Sequence, residues 1–203
     1  MVLPKRKRSK KSGTSHKKAR PDFLAAWLRA PLMMGAIMPS SRALAQAMAK
    51  QVDAADPGWV VELGAGTGVV TYALLEAGID PKRLLVIERE PKLFAILEAQ
   101  FPQVNVVCAD AVYLNDILAK FGNPKISAIV SSLPMITLPK KIEQAIQEQM
   151  AALVGEGKIV QFTFGAKSPL NRVKLRQQGI SGKRVKLVLA NVPPAHVWVY
   201  RRE

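Results

Sequence analysis

The stretch VVELGAGTG, from Val60 to Gly68, decides the fold. Val60, Val61 and Leu63 are typical of a buried strand, and the glycines that follow at every second position predict a turn at which a ligand contacts backbone atoms. A dinucleotide-binding fingerprint spaces its glycines differently, and a phosphate-binding P-loop requires a lysine that this stretch lacks. The stretch therefore predicts a strand, a ligand-binding turn and the start of a helix.

Short β-branched runs alternate with amphipathic segments from residue 59 onward, which is typical of a parallel sheet with crossover helices. The last two strands are separated by a connection too short for a crossover, so they must be antiparallel. The sequence predicts an α/β, Rossmann-like fold with a seven-stranded, mostly parallel sheet and a carboxyl-terminal antiparallel hairpin. The predicted strands are 59–63, 84–88, 104–108, 126–131, 158–164, 184–190 and 196–201, and the predicted helices are 68–77, 91–100, 112–120 and 140–153.

Three acidic residues lie at or just after the ends of predicted strands. Glu62 would repel a pyrophosphate but suits a ligand with an ammonium group. Glu88 can accept hydrogen bonds from both hydroxyls of a ribose, and Asp110, followed by Ala111, is placed to accept one from the exocyclic amine of adenine. These are sites for an amino acid, a ribose and an adenine.

This set of sites is the layout of S-adenosylmethionine, and the sequence resembles the class I methyltransferases. The resemblance implies that S-adenosylmethionine is the cofactor and that S-adenosylhomocysteine is the product. The residues expected to bind the cofactor are those of the turn and the strand ends: Glu62, Gly64, Ala65, Gly66, Thr67, Gly68, Glu88, Asp110, Ala111 and Ser131.

The fourth predicted strand ends in Ser131-Ser132-Leu133-Pro134-Met135, at the position where class I enzymes hold the methyl acceptor. Enzymes that act on the nitrogen of a planar base usually place an aromatic residue after the proline, because the ring stacks on the base. Met135 is not aromatic, so a non-planar amine fits better. We expect Ser131, Ser132, Leu133 and Pro134 to hold this amine, mainly through backbone carbonyls that orient it for in-line transfer.

Several segments carry a more specific resemblance: Trp27 and Pro31, residues 35–41, the glycine turn, Ser132-Leu133-Pro134 and residues 191–195. From residue 21 to 203 the sequence resembles the soluble, Rhodobacter-type bacterial phosphatidylethanolamine N-methyltransferases, which are distantly similar to the ribosomal RNA adenine dimethyltransferases. The resemblance implies successive methylation of phosphatidylethanolamine toward phosphatidylcholine, at an anionic membrane surface that an amphipathic helix reaches. It implies a cytoplasmic protein that associates peripherally with the cytoplasmic face of the inner membrane.

The net charge of +15 is unevenly distributed, because nine of the 30 lysines and arginines lie in residues 1–20, which contain no acid. We predict a disordered basic arm over 1–20, amphipathic helices over 21–52 and the methyltransferase domain over 53–203. Phe23, Trp27 and Leu28 share one side of the first helix and are expected to contact lipid headgroups. Ser40 or Ser41 is expected to cap the second helix, and either hydroxyl can also face the cofactor carboxylate or a lipid phosphate.

Two residues on the last predicted strand are further candidates for contact with the substrate or the membrane. His196 is a candidate for accepting the proton that the amine loses, although a position just after a proline turn is also typical of a surface residue. Tyr200 can hold a methylated ammonium on its ring. It also alternates with valines along the strand, which is equally typical of a core residue.

Composition excludes several classes of protein. The single cysteine, Cys108, excludes an intramolecular disulfide and a thiolate-rich metal site, so we expect no metal and a reducing compartment. The longest uncharged runs, such as 126–139 and 187–200, contain prolines and fall short of the roughly 20 residues that a membrane-spanning helix needs. The chain is predicted to be soluble or peripheral, and monomeric.

Two alternative functions stay open at this point. The first is an RNA or ribosomal RNA adenine methyltransferase whose basic arm and basic carboxyl-terminal segment bind the phosphate backbone. Met135 and the aromatic content of only 6% argue against it. The second is a module that binds membranes or nucleic acids and retains the cofactor fold without catalysis.

Overall fold

The computed structural model describes residues 41–203. The predicted basic arm and the first amphipathic helix, including Phe23, Trp27, Leu28 and Ser40, lie outside the described residues. Ser41 begins the described part and caps the first helix, because its Oγ accepts a hydrogen bond of 3.2 Å from the Leu44 backbone N–H. This confirms the predicted cap.

Strands and helices alternate along residues 41–203. The strands are β1 (Trp59–Leu63), β2 (Leu84–Glu88), β3 (Asn105–Cys108), β4 (Ile126–Ser131), β5 (Lys158–Thr163), β6 (Ile180–Val188) and β7 (Ala195–Arg202). The α-helices are α1 (Arg42–Ala49), α2 (Val69–Glu76), α3 (Pro91–Gln100), α4 (Leu114–Ala119), α5 (Lys140–Leu153) and α6 (Arg172–Gln177). Short 3₁₀ helices lie at Pro81–Arg83 and Ala111–Tyr113. None of the helices between residues 41 and 203 is long and apolar enough to cross a membrane.

The seven strands form one sheet in the order β3-β2-β1-β4-β5-β7-β6. Strands β1 to β5 pair in parallel, and β7 is antiparallel to both β5 and β6. The predicted fold class, with its mostly parallel sheet and closing hairpin, is confirmed. As a result, the carboxyl ends of β1 to β5 and the amino end of β7 meet at one edge of the sheet, here called the carboxyl edge.

Helices cover both faces of the sheet, because successive side chains of a strand point to opposite faces and both sets are apolar. Val60 and Val86 pack in one cluster with apolar residues of α1, α2 and α3, such as Leu74. Val61 and Ile129 pack in a second cluster with residues of α4, α5 and α6. The sheet is therefore covered on both faces, and the loops that could form a site project from its carboxyl edge.

The largest difference from the predicted elements concerns β6, which begins at Ile180 rather than near residue 184. Gly182 lies within this early part, and a glycine in a strand interior weakens a strand prediction. The structure explains the glycine: a Cβ atom at position 182 would lie 2.2 Å from Cδ1 of the Tyr200 ring.

The short helix α6, which the sequence pattern did not predict, begins where the Asn171 side chain accepts hydrogen bonds from the Val173 and Lys174 amides.

Candidate active site

The glycine turn after β1 adopts a conformation that other residues rarely take. Gly64, Gly66 and Gly68 have φ values of 70°, 57° and 80°. A Cβ atom would lie 2.6 Å from Leu133 Cδ2 at position 64 and 2.7 Å from Phe101 Cε2 at position 68. At position 66 it would meet nothing within 4 Å. Two glycines are therefore required by packing, whereas Gly66 faces open space at the carboxyl edge.

Glu88, at the end of β2, holds the glycine turn in place. Its Oε2 accepts a hydrogen bond of 2.8 Å from the Gly66 amide, and its Oε1 accepts one of 2.8 Å from the Glu90 amide. Each carboxylate oxygen has two lone pairs, so both oxygens can still accept a ligand hydroxyl. Glu88 thus joins the turn after β1 to the end of β2, where the sequence predicts the ribose site.

We expect the substitution Glu88→Gln to weaken cofactor binding about tenfold and to lower the free energy of unfolding by about 1–3 kcal/mol. The glutamine side chain has only one oxygen, so either the Gly66 or the Glu90 amide loses its acceptor and faces an NH2 group. Titration calorimetry with S-adenosylhomocysteine and denaturant unfolding measure the two effects. Glu90→Gln, on an exposed side chain next to the site, is the control. Unchanged affinity in Glu88→Gln would remove Glu88 from the cofactor site.

Glu62 is the second carboxylate beside the turn, and it is fully buried. Its Oε2 accepts a hydrogen bond of 2.7 Å from the Thr71 hydroxyl at the start of α2, and Oε1 has no partner among the described residues. Burial raises the pKa of Glu62 to about 8. A buried carboxyl group with a free oxygen fits a ligand ammonium, whose charge would stabilise the ionised form.

Asp110 follows β3 and begins the 3₁₀ helix that contains Ala111. Its Oδ1 accepts a hydrogen bond of 3.1 Å from the Val112 amide, and its Oδ2 lies 3.4 Å from a guanidinium nitrogen of Arg89. Ala111 is buried below it. The carboxylate is held at the carboxyl edge on the β2–β3 side, which is the position predicted for the adenine site.

The segment after β4 lies directly against the glycine turn. The Ser132 amide donates to the Leu63 carbonyl at 2.9 Å, and Leu133 Cδ2 occupies the place that a side chain on Gly64 would need. The Ser131 Oγ, which is buried, accepts a hydrogen bond of 3.4 Å from the Leu133 amide. The structure therefore brings the predicted acceptor segment, Ser131 to Pro134, next to the predicted cofactor turn. Met135 is buried in the core rather than presented to a ligand.

One residue of this region was missed by the sequence analysis. Gln161 is fully buried on β5, and its Nε2 donates to the Leu133 carbonyl at 3.0 Å and to the Phe162 carbonyl at 2.9 Å. It thereby fixes the acceptor segment to the neighbouring strand. The signal in the sequence is a single polar residue inside the otherwise apolar run Ile159 to Phe162.

The remaining candidates on described residues have different environments. His196 lies at the start of β7, opposite Thr163, and its Nδ1 is buried without a partner among the described residues. Tyr200, predicted to contact substrate or membrane, is instead fully buried, and its hydroxyl lies 2.8 Å from the Ser168 Oγ. Burial raises the pKa of Tyr200 to about 12, and its ring packs in the core beside that of Trp198. The Ser41 amide donates to Asn191 Oδ1 at 2.9 Å, which ties the start of α1 to the β6–β7 turn.

Solved structures share this fold. A TehB-like SAM-dependent methyltransferase from Corynebacterium glutamicum superposes with a TM-score of 0.58 at 16% identity, over 90% of this chain and 97% of that one. The 1,6-didemethyltoxoflavin-N1-methyltransferase of Burkholderia thailandensis, solved with S-adenosylhomocysteine, superposes with a TM-score of 0.59 at 15% identity, over 90% of this chain and 86% of that one. The fold is that of the SAM-dependent methyltransferases. Among residues 41–203, no group of three His, Cys, Asp or Glu side chains could hold a metal ion.

Two curated proteins are similar in sequence. An ornithine lipid N-methyltransferase from Singulisphaera acidiphila is 29% identical over 125 residues, which are 60% of this chain and 65% of that protein. A ribosomal RNA small subunit methyltransferase A from Chlorobium chlorochromatii is 35% identical over 66 residues, which are 32% of this chain and 24% of that protein. The similarity thus spans less than two thirds of either relative. No protein-family profile matches the chain.

Proposed function

We propose that this protein is an S-adenosylmethionine-dependent N-methyltransferase that acts on the amine of a membrane lipid headgroup. The observation that carries the proposal is a set of three loops at the carboxyl edge, residues 132–139, 164–171 and 189–194, which expose apolar side chains, have lysines at their margins and contain no acid. The fold and the similarity to an ornithine lipid N-methyltransferase support the same reaction class.

The residues around the glycine turn fit S-adenosylmethionine. Glu62 has a free buried oxygen for the amino group, Gly66 leaves open space beside the turn, and the Glu88 carboxylate is held where ribose hydroxyls can donate to it. When bound, the cofactor would supply a sulfonium methyl group to the lone pair of an amine that has lost its proton; the carbon–sulfur bond breaks, and the positive charge passes from sulfur to the methylated nitrogen. The protein holds and orients the two reactants, and this orientation supplies most of the rate enhancement.

Three loops lie at the same carboxyl edge as the acceptor segment: residues 132–139, 164–171 and 189–194, here called the acceptor loops. They expose Ile136, Phe164, Leu189 and Val192, with 72% of Leu189 and 77% of Val192 accessible. The acceptor loops contain no aspartate or glutamate. Exposed lysines lie in or beside them: Lys141, Lys167 and Lys186, and also Lys140, whose ammonium pairs with Glu143.

Apolar loop tips with a basic margin suit an anionic membrane surface. Exposed apolar side chains gain free energy by entering the headgroup boundary, and each nearby lysine adds about 1 kcal/mol on an anionic leaflet. The lysines could also bind the phosphates of RNA, but exposed leucine and valine side chains would add little to the affinity for RNA. The surface therefore favours a lipid acceptor. We place the reaction at the cytoplasmic face of the inner membrane, where the headgroup reaches the acceptor segment without leaving the bilayer.

The test is transfer of labelled methyl from S-adenosylmethionine to three acceptors in separate tubes. These are vesicles of phosphatidylethanolamine with phosphatidylglycerol, vesicles of ornithine lipid with phosphatidylglycerol, and purified ribosomal RNA. We expect label in lipid, and chromatography of the mono-, di- and trimethylated products shows which headgroup is preferred and how many transfers occur. Label only in RNA would overturn the lipid assignment in favour of the function of the ribosomal relative. Absence of S-adenosylhomocysteine binding would indicate a module without catalysis.

The acceptor loops predict a defined loss of membrane binding. We expect the double variant Leu189→Ser and Val192→Ser to bind phosphatidylglycerol vesicles about tenfold more weakly, because two side chains lose their transfer free energy into the bilayer. Affinity for S-adenosylhomocysteine should not change. Vesicle flotation measures the binding. Val173→Ser removes an equally exposed valine from α6, outside the acceptor loops, and serves as the control. Equal losses in the double variant and the control would refute membrane contact by these loops.

A further inference from the structure

Unpartnered polar atoms are concentrated at one part of the described structure. Six buried side-chain nitrogen or oxygen atoms in residues 41–203 have no hydrogen-bond partner. Four of them belong to residues of β5, of β7 and of the segment just after β4: Ser132 Oγ, Gln161 Oε1, His196 Nδ1 and Trp198 Nε1. Buried polar atoms are normally paired, so a cluster of exceptions requires an explanation such as a ligand.

The strand register places these side chains together. Gln161 lies opposite Trp198 and Thr163 opposite His196 in the antiparallel β5–β7 ladder, while Gln161 lies beside Ser131 in the parallel β4–β5 ladder. Side chains directly opposite each other point to the same face of a sheet, and residues two apart along a strand share that face. Gln161, His196 and Trp198 therefore share the face covered by α5 and α6, and the acceptor segment lies next to them.

The orientation of the Gln161 amide follows from its neighbours. Nε2 donates to two backbone carbonyls, those of Leu133 and Phe162, at 3.0 and 2.9 Å. A carbonyl oxygen only accepts, so turning the amide over would place three oxygens together. Oε1 must therefore point away from both carbonyls. It is an acceptor without a donor, on a residue with no solvent exposure.

Trp198 supplies the opposite chemistry. Its indole N–H only donates, and it is buried without an acceptor. Two residues further along β7, Tyr200 faces the same side of the sheet, but its hydroxyl is paired with Ser168. On this face, the unpartnered atoms therefore lie in the part that adjoins Ser132, whereas the Tyr200 hydroxyl further along β7 is paired.

We propose that Ser132, Gln161, His196 and Trp198 form a subsite for a headgroup that carries both an amine and an oxyanion. Gln161 Oε1 accepts a hydrogen bond from the amine, and Trp198 Nε1 donates one to a carboxylate or phosphate oxygen of the same headgroup. Ser132 Oγ and His196 Nδ1 can each donate or accept, so they adapt to either oxyanion. This subsite rests on the proposed function and extends it from amines in general to zwitterionic headgroups.

Binding of soluble headgroups tests the subsite without requiring turnover. Glycerophosphoethanolamine, which has an amine and a phosphate, and ethanolamine, which has the amine alone, are titrated into the protein with S-adenosylhomocysteine present. Trp198→Phe keeps most of the ring but removes the N–H, so we expect about tenfold weaker binding of glycerophosphoethanolamine and unchanged binding of ethanolamine. Trp59→Phe, at the opposite edge of the sheet against Phe121, is the matched control.

Two further variants test the oxygen and the hydroxyl of the subsite. Gln161→Met keeps the length of the side chain but removes its oxygen, and it also removes the amide that donates to the Leu133 and Phe162 carbonyls. Binding of both probes should weaken at least tenfold, and denaturant unfolding measures the loss of stability that accompanies it. Ser132→Ala removes an unpartnered hydroxyl, so this variant should fold like the wild type. Its binding of glycerophosphoethanolamine should be several-fold weaker. The same variants should raise KM for phosphatidylethanolamine in vesicles by similar factors while leaving the affinity for S-adenosylhomocysteine unchanged.

The outcomes distinguish the subsite from the proposed function. If the wild type methylates lipid and all three variants bind both probes normally, the subsite is wrong and the function stands. If no lipid is methylated but the probes bind with the expected dependence on Trp198, the subsite stands and the reaction is wrong. If Trp198→Phe and Trp59→Phe weaken the binding of both probes equally, the effect is purely structural and the proposal is overturned.

Discussion

The substitution Gly66→Ala is expected to weaken S-adenosylhomocysteine binding at least a hundredfold while leaving the protein folded. The added methyl group would meet no protein atom within 4 Å, so it projects into the open space beside the turn. An L-residue with φ near 57° costs about 1–2 kcal/mol of backbone strain, which lowers stability only modestly. Titration calorimetry measures the affinity, and denaturant unfolding measures the stability.

Two other glycines serve as controls for this experiment. Gly155 has a φ of 53° and also has nothing within 4 Å, but it lies in the turn before β5, at the opposite edge of the sheet. Gly155→Ala should therefore show the strain without the loss of binding. Gly68→Ala combines a φ of 80° with contacts of 2.7 and 2.9 Å to Phe101 and Leu97, so it should destabilise the fold by about 3 kcal/mol. Normal affinity in Gly66→Ala would place the cofactor elsewhere.

Glu62 predicts a large pH dependence of stability. In the unfolded chain it loses its proton near the ordinary pKa of 4.5, whereas in the folded protein it keeps the proton until about pH 8. Between these values the folded state binds one more proton, so the stabilisation from neutral Glu62 is complete below pH 4.5 and is lost as the pH rises through 8. The wild type should lose on the order of 5 kcal/mol of unfolding free energy across this window from Glu62 alone.

The substitution Glu62→Gln should remove this contribution, because the amide does not titrate. The difference in free energy of unfolding, variant minus wild type, should therefore increase from about pH 5 to about pH 8 and then stay constant. Urea unfolding at a series of pH values measures the difference. Glu98→Gln, on the exposed side of α3, should run parallel to the wild type. A difference that stays constant with pH would mean that Glu62 is ionised in the folded protein at neutral pH.

The residues that were predicted correctly have local signals. The glycines of the turn have positive φ values, and an apolar run before them is enough to predict strand β1 and the start of α2. Ser40 or Ser41 was predicted as a cap from its place before an amphipathic run, and the Ser41 hydroxyl does cap α1. The predicted antiparallel hairpin followed from connection length alone and is confirmed. These features depend on residues close together in the chain.

The residues that were missed depend on partners far away in the chain. Gln161 interacts with the Leu133 carbonyl, 28 positions away, and nothing near it in the sequence indicates that partner. Gly182 is required because Tyr200 occupies the space beside it on the neighbouring strand. The sequence pattern around Tyr200 is equally typical of a core residue and of a residue that contacts a ligand. Only its burial and its hydrogen bond to Ser168 decide between the two.

The sequence by itself determined the fold class, the succession of the seven strands along the chain and the place of the glycine turn, because periodicity, chain length between strands and glycine spacing act locally. Only the tertiary structure decided which carboxylate oxygens stay free, which side chains surround the acceptor segment and which exposed loops border it. The physical reason is that parallel strands from distant parts of the chain end at one edge. Their neighbours across that edge follow from strand order and register, which the local pattern does not contain.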